Sequence, residues 1–374
     1  MTETIEINGT VAPGFEAVKD AFAKNFSVGF EVGASLAVYR DGESLVDLWG
    51  GWFDQAKTRP WQRDTLVNVF SSTKGPMALA IAKLIDRGQL SYSDAVSQHW
   101  PEFSANGKET ITVGQMMSHQ GGLCGLRESI TVEDYEDWDF ICGRLAAMAP
   151  FWVLDGTSGY HAITYGFLAG ELLRRIDGRT PGQFIAEEIC TPLEADFHVG
   201  LADSEHGRVS PIIAADNAPP FTTPDSPDWA IAALSNPTLQ PSEVNEPGWR
   251  RAEMPAVNGH GNAEALARIY RPLSLGGVEI IGAAALDAAT TRQCFGEDRN
   301  LGYQMDWGCG FLRNSHGAYG INPETFGHSG WGGSMAFADR ENRLAVGYAM
   351  NKMDASLQGN PRTLALVAAL YSSL

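Results

Sequence analysis

The chain lacks several features that would assign it to familiar protein classes. No stretch of its 374 residues approaches the roughly 18 apolar residues that a membrane-spanning helix requires. Its first residues, M-T-E-T-I-E, lack the basic and then apolar regions of a secretory signal peptide. The five cysteines are scattered and show neither C-x-x-C nor another metal-ligand spacing. These absences argue against a membrane protein and predict a cytoplasmic protein with reduced thiols.

Basic residues are also scarce relative to acidic ones. Lys and Arg together number 27 against 45 Asp and Glu, which gives a formal net charge of -18. Such a charge disfavours nucleic acids and anionic membranes as partners, and it favours neutral substrates over anionic ones. The eight histidines show no H-E-x-x-H or similar spacing. We therefore expect neither a catalytic metal nor another cofactor.

The most informative segment that is present is F-S-S-T-K-G at residues 70–75. It places Ser71 three residues before Lys74 at the start of a predicted helix, where positions i and i+3 share a face. A lysine whose pKa is lowered by burial can take the proton of a neighbouring serine hydroxyl. For an isolated S-x-x-K, a capped helix with an exposed lysine would be the alternative, but this is the only S-x-x-K in the chain.

Two further motifs follow it. The segment G-Y-H-A-I-T-Y-G at residues 159–166 precedes a predicted helix, and it can project Tyr160 into a cleft, where a nearby cation would favour the phenolate. The alternative is a packed aromatic side chain. The segment F-G-H-S-G-W-G-G-S at 326–334 precedes a predicted strand over 335–338, and its glycines would let the backbone approach a ligand closely. A tight turn between two strands is the alternative there.

In this order the three motifs resemble the S-x-x-K, Y-x-N and K-T-G motifs of the serine β-lactamase and penicillin-binding-protein superfamily. The similarity is greatest to the class C β-lactamase-like carboxylesterases, also called family VIII esterases. Residues 33–42 resemble the opening hairpin of that family, and residues 111–123 resemble its I-T-V-x-x-L-L-S-H-x-x-G-L segment. The resemblance thus covers nearly the whole chain.

The resemblance implies an α/β fold of the α+β type in one unit over residues 1–374. Residues 1–63 and 271–374 would form an antiparallel sheet flanked by helices, and residues 64–270 a mainly helical lobe, with the active site at the seam. Within that lobe, nine prolines fall between Pro211 and Pro255. This density predicts a long ordered loop over 204–255, which is either a functional lid or an excursion on the solvent side.

Carried over residue by residue, the resemblance makes Ser71 the acylated nucleophile and Lys74 its general base. Tyr160 would be the partner base that protonates the leaving group and activates water. The oxyanion hole would consist of the backbone N–H groups of Ser71 and Trp331.

The resemblance assigns substrate binding to His328, Ser329 and Gly330, which take the place of K-T-G, and to Trp331. Two departures from the family bear on the substrate. Ala162 stands where the β-lactamases have the Asn of Y-x-N, and it cannot hydrogen-bond an amide. His328 replaces the Lys that helps to bind a carboxylate, and an unperturbed imidazole is largely neutral at pH 7. Because esters are easier acyl donors than amides, the prediction is a serine esterase that acts on small esters.

Three alternatives stay open at this point. The same machinery could serve an amidase, a D-aminopeptidase or a β-lactamase, with weak β-lactamase side activity in an esterase, or it could transfer acyl groups to alcohols or amines. The chain could be a catalytically silent binding protein. Ser329 could instead be the nucleophile of an incomplete G-x-S-x-G elbow. The expected partner is a small-molecule ester, and the oligomeric state is open.

Overall fold

The structure, a computed structural model, describes residues 5–216 and 218–374. Residues 1–4, which belong to the N-terminal segment used above to argue against a signal peptide, lie outside the described residues. Within the described ranges, none of the helices combines the length and the apolar character needed to cross a membrane.

Strands and helices alternate irregularly along the chain. The strands are β1 (Ile7–Val11), β2 (Gly33–Arg40), β3 (Glu43–Gly51), β4 (Val67–Asn68), β5 (His260–Gly261), β6 (Cys294–Glu297), β7 (Gln304–Trp307), β8 (Leu312–Arg313), β9 (Phe326–Ser329), β10 (Met335–Asp339) and β11 (Leu344–Met350). The α-helices are α1 (Glu16–Ser27), α2 (Lys74–Asp86), α3 (Val96–His99), α4 (Val113–Met117), α5 (Trp138–Ala147), α6 (Thr164–Asp177), α7 (Pro181–Ile185), α8 (Thr191–Leu193), α9 (Asp228–Leu234), α10 (Pro247–Arg251), α11 (Ala263–Ser274), α12 (Ala283–Thr290) and α13 (Pro361–Ser372).

The main sheet is antiparallel and joins both ends of the chain. Its strand order is β1-β3-β2-β11-β10-β9-β8-β7-β6. The predicted opening hairpin is β2 paired with β3, and β2 pairs on its other side with the predicted C-terminal strand β11. The N- and C-terminal parts therefore form one sheet, as expected. A separate two-stranded ribbon of β4 and β5 lies within the other lobe.

The two faces of the sheet differ in side-chain size. Leu36 and Val38 of β2 pack in one apolar cluster with side chains of α1 and α13, whereas Ala37 points to the opposite face. On that face α11 packs closely against β11. A Cβ atom added at Gly347 would lie 2.1 Å from the carbonyl oxygen of Ala263 at the start of α11. Small residues on this face therefore let the helix approach the sheet.

Helix α2 lies at the centre of the helical lobe, where it contacts α6, α7 and α12. Residues 74–82 and Leu84 are buried, so the helix is covered on all sides. A 3₁₀ turn, Phe70–Thr73, leads directly into it. Pro76 is the third residue of α2. A proline is tolerated there, because in the first turn of a helix its missing N–H costs no regular hydrogen bond.

The structure differs from the predicted organisation at two places. The segment 204–255 is not devoid of regular structure, because it contains the short helices α9 and α10. Pro227 precedes the first residue of α9 and Pro247 is the first residue of α10, positions at which the fixed φ of proline favours a helix start. The lobe boundary predicted at residues 270–271 cuts through α11, which packs on the sheet.

Candidate active site

Ser71 lies in the 3₁₀ turn before α2, beside strand β9 of the main sheet. The preceding residue, Phe70, has φ +44°, a left-handed conformation that costs a non-glycine residue on the order of 1–3 kcal/mol. Two hydrogen bonds to one glycine hold this strained turn. The Val69 N–H donates to the Gly259 carbonyl (2.8 Å), and the Gly259 N–H donates to the Thr73 hydroxyl (2.9 Å). The serine is thus presented by a fixed backbone.

Lys74 is fully buried beside that serine, as the S-x-x-K spacing predicts. Its Nζ lies 3.2 Å from Ser71 Oγ. It also donates hydrogen bonds to the backbone carbonyl oxygens of Ala162 (2.6 Å) and Ala256 (3.1 Å). The role of Ala256 was not foreseen, and a contact made by a backbone carbonyl leaves no signal in residue type.

Burial lowers the pKa of Lys74 well below its usual value. A neutral amine fits the three contacts, since its two N–H groups can serve the two carbonyls while its lone pair accepts the Ser71 hydroxyl proton. The geometry therefore suits a lysine that acts as a base toward Ser71.

Tyr160 completes the group, and its hydroxyl donates a 2.7 Å hydrogen bond to Ser71 Oγ. Burial raises the pKa of Tyr160 despite the hydrogen bond to Ser71, which lowers it. The Lys74 Nζ lies over the tyrosine ring, 4.8 Å from the centroid. The raised pKa favours a neutral phenol over the expected phenolate, and a neutral phenol can donate or relay a proton.

Asp298 holds the loop that contains Tyr160. No motif in the sequence predicted this role. The carboxylate accepts the Tyr160 N–H at 2.9 Å and the Ser158 hydroxyl at 2.7 Å. The side chain of Asn300 donates to the Tyr160 carbonyl at 2.8 Å. Together these bonds fix the position from which the phenol reaches Ser71.

Two histidines of the motif segments support the same loop. The His161 N–H donates to Nδ1 of His119 at 3.1 Å, and Nε2 of His161 accepts the Leu123 N–H at 3.0 Å. Burial lowers the pKa of His161 to about 4 and that of His119 well below its usual value. Both rings are therefore neutral structural groups rather than candidate acids.

His328, Ser329 and Gly330 lie where β9 approaches the serine turn. The hydroxyl of Ser329 is paired with the Tyr319 hydroxyl at 2.8 Å, and no base contacts it among the described residues. This arrangement does not support Ser329 as the nucleophile. A Cβ atom added at Gly330 would lie 2.2 Å from the carbonyl oxygen of Val69, so a glycine is needed for this close approach.

His328 is buried, and its Nδ1 lies 2.8 Å from the Ser329 carbonyl oxygen. Burial, together with the nearby Lys74, lowers the pKa of His328 to about 3, so the ring is neutral at pH 7. The position of the family lysine is therefore occupied by an uncharged group, as expected from the sequence.

Trp331 lies beside Ser71 at the mouth of a cleft. In the described part of the chain, the backbone N–H groups of both residues donate to no other group. The neighbouring N–H of Gly330 is taken up by the Ser334 carbonyl at 2.8 Å, which closes the glycine turn. These free donors are compatible with the predicted oxyanion hole, which stays a prediction.

The cleft has a volume of about 750 Å³, and Ser71 and Tyr160 form part of its wall. None of its described lining residues is Asp, Glu, Lys, Arg or His. More than half of them come from the proline-rich segment, between residues 214 and 241. That segment thus shapes the site, rather than forming an excursion on the solvent side. Large apolar contributors to the lining are Phe70, Ile163, Phe221, Ile231, Leu239 and Trp331.

Comparisons with known proteins agree with this geometry. The family model described as Beta-lactamase matches residues 22–369. The chain belongs to the beta-lactamase family. A solved structure described as a family VIII carboxylesterase is 43% identical to this chain and has a TM-score of 0.95. The match covers 99% of this chain and 100% of that structure's chain.

Two further relatives are similar over most of their length. The penicillin-binding protein homolog from Caulobacter crescentus is 43% identical, with the same coverage of both chains and a TM-score of 0.94. The Esterase/beta-lactamase LipL of Mycobacterium tuberculosis is 36% identical over 362 residues, which are 92% of this beta-lactamase-family chain and 83% of LipL. The predicted β-lactamase-like fold and the family resemblance are therefore confirmed.

Proposed function

We propose that the chain is a serine carboxylesterase that cleaves uncharged, apolar esters through an acyl-Ser71 intermediate. One observation carries the proposal. Ser71 Oγ contacts both Lys74 Nζ and the Tyr160 hydroxyl, beside a cleft without charged lining residues. The names of the relatives, an esterase and a family VIII carboxylesterase, support it.

In the acylation step the hydroxyl proton of Ser71 passes to the neutral Lys74 amine. The freed Oγ attacks the ester carbonyl carbon, and the carbonyl oxygen becomes an oxyanion for which the N–H groups of Ser71 and Trp331 are the proposed donors. When the ester C–O bond breaks, the departing alkoxide takes the Tyr160 proton. The Lys74 ammonium then gives the proton that it took from Ser71 to the Tyr160 phenolate, so that Lys74 and Tyr160 both return to their neutral forms.

Deacylation repeats these transfers with water. The water oxygen attacks the acyl carbon while the Lys74–Tyr160 pair takes one of its protons. The bond between Ser71 Oγ and the acyl carbon then breaks, and Oγ recovers a proton from the same pair. The products are the carboxylic acid and the free serine, and no metal or cofactor is required by these steps.

The site is better suited to esters than to β-lactams or peptides. Ala162 offers a substrate amide no side-chain hydrogen bond, and the neutral His328 offers a carboxylate no cation. An uncharged cleft likewise favours an apolar ester group. The name of LipL, which includes beta-lactamase, supports weak β-lactam hydrolysis as a second activity.

The proposed location of the enzyme is the cytoplasm. Cys124, Cys142, Cys190, Cys294 and Cys309 are all buried and unpaired. Proteins that keep their thiols reduced are typical of that compartment.

The proposal is tested with a small fluorophosphonate and a Ser71→Ala variant. We expect mass spectrometry to place a single adduct on Ser71 of the wild-type protein, and p-nitrophenyl ester turnover to fall by about 10⁴-fold or more in the variant. Nitrocefin turnover, measured alongside, should be slow. An adduct on another residue, or a variant with wild-type turnover, would reject Ser71 as the nucleophile. Nitrocefin cleavage faster than ester cleavage would make β-lactam hydrolysis the main activity.

A further inference from the structure

A second, much smaller pocket also reaches Ser71. Its volume is about 30 Å³, which is enough to hold a water molecule. Ser71, Tyr160 and Trp331 contribute to both this pocket and the large cleft. The catalytic group therefore borders two spaces of very different size, and only the large cleft has been assigned above.

One wall of the small pocket is His328, and the tautomer of its neutral ring follows from its contacts. A carbonyl oxygen can only accept, so the contact between Nδ1 and the Ser329 carbonyl places the ring proton on Nδ1. Because the ring is neutral, Nε2 carries a bare lone pair. That atom is buried and has no hydrogen-bond partner among the described residues.

The side chain of Gln358 lines the same pocket, and its Nε2 is likewise buried without a partner. A bare acceptor and an unused donor thus belong to two residues that line the same small pocket. Buried polar groups are rarely left unpaired, because each unpaired group costs about 1–3 kcal/mol. A hydroxyl group satisfies both, since its O–H can donate to His328 while its oxygen accepts from Gln358. A carboxylate cannot, because it has no proton to offer the His328 lone pair.

We propose that the small pocket is a hydroxyl-binding site in which His328 Nε2 accepts, and Gln358 Nε2 donates, one hydrogen bond to the O–H group of a water molecule or of the substrate. This inference rests on the proposed esterase function and names the group that occupies the small side of the same site.

A water molecule held there has a second proton that is free to face Tyr160 and Ser71. During attack on the acyl enzyme, that second proton is the one transferred to the Lys74–Tyr160 pair, while the bond to His328 orients the oxygen. The new bond forms between the water oxygen and the acyl carbon, and the bond from Ser71 Oγ breaks. His328 is then a positioning residue and gains no proton in the step.

The test uses His328→Phe and Gln358→Leu, which keep side-chain volume and remove the acceptor or the donor. His328→Asn restores an acceptor, and His99→Phe, on the distant helix α3, is the matched control for loss of an imidazole. With p-nitrophenyl acetate, kcat/KM reports acylation, whereas the steady rate after a burst reports deacylation. Circular dichroism and Tm confirm that each variant is folded.

If water occupies the pocket, both variants should lower deacylation about tenfold while kcat/KM changes less than twofold, and His328→Asn should recover part of the loss. If a substrate hydroxyl occupies it, deacylation with p-nitrophenyl acetate is not selectively slowed. The preference for phenyl lactate over phenyl propanoate, which differ by one hydroxyl, should then fall about tenfold. Unchanged kinetics with all of these substrates, or equal losses in acylation and deacylation, would overturn the proposal. Loss of the esterase function itself would appear separately, as a wild-type protein without Ser71-dependent turnover.

Discussion

The two sides of Ser71 differ in burial and in secondary structure. On the inner side, Lys74 and Tyr160 are buried and reach Ser71 from α2 and from the loop held by Asp298. On the outer side, the cleft is bordered mainly by residues 214–241, whose described part contains one α-helix, α9. The inner side holds the proton-transfer groups within the core. The outer side forms the wall of the substrate cleft, and its turns contribute little to that core.

The outer side is nevertheless anchored at defined points. The Asn236 amide donates to the carbonyl oxygens of Leu126 (2.9 Å) and Glu128 (2.8 Å), and it accepts the Ile130 N–H (3.2 Å). The Phe221 ring packs against Trp331, with centroids 5.3 Å apart. Side-chain contacts, rather than a sheet or a long helix, therefore position this wall. We expect substitutions there to change substrate range more than reaction chemistry.

The largest effect is expected on the inner side. Lys74→Ala and Tyr160→Phe should each lower kcat by about 10³-fold, because each removes one member of a shared proton network. The double variant should lose little more than either single variant. Steady-state kinetics of all three proteins with one p-nitrophenyl ester measure the coupling.

Thermal unfolding of these variants is the control, since Lys74 is buried and its removal leaves a cavity. Losses that multiply in the double variant would show that the two residues act independently.

A smaller effect on the same side is the dependence of rate on pH. Burial lowers the pKa of Lys74, and only the neutral amine accepts the serine proton. kcat/KM should therefore rise about tenfold per pH unit below the apparent pKa of the Lys74–Tyr160 pair and level off above it. Stopped-flow rates between pH 5 and 9 measure the profile. A flat profile over that range would be incompatible with a lysine base.

The smallest effect is expected on the outer side. Phe221→Ala removes apolar surface from the cleft and should lower kcat/KM for p-nitrophenyl octanoate about tenfold, with little change for the acetate. Phe295→Ala, a similarly exposed phenyl group outside the cleft, is the matched control. A loss of the same size with both esters would mean that the outer side also supports the reaction chemistry, and the distinction between the two sides would fail.

The sequence predicted the inner side well, because its chemistry depends on residue type at fixed spacing. The i, i+3 geometry of a helix start brings Lys74 to Ser71, and the order of the three motifs identified Tyr160 and His328 as site residues. It missed the Ala256 carbonyl and the neutral state of the Tyr160 phenol, since backbone contacts and burial depend on distant segments.

The outer side was much less predictable. Prolines were interpreted as a barrier to regular structure, although Pro227 immediately precedes the first residue of α9. Likewise, the packing of α11 on the sheet depends on a space left by Gly347, more than seventy residues away from that helix, so the lobe boundary could not be found from local patterns.

The hydrogen-bond acceptors of Lys74 affect how the substrate preference of this site can change by mutation. Both fixed acceptors of the amine, at Ala162 and Ala256, are main-chain oxygens, which remain whatever side chain the gene encodes at those positions. Point mutations at either alanine can therefore be sampled without deleting the acceptors of the base. Position 162 in particular borders the cleft. A library of substitutions at this position can therefore be screened for new substrate preferences, while both backbone acceptors of the Lys74 amine are retained.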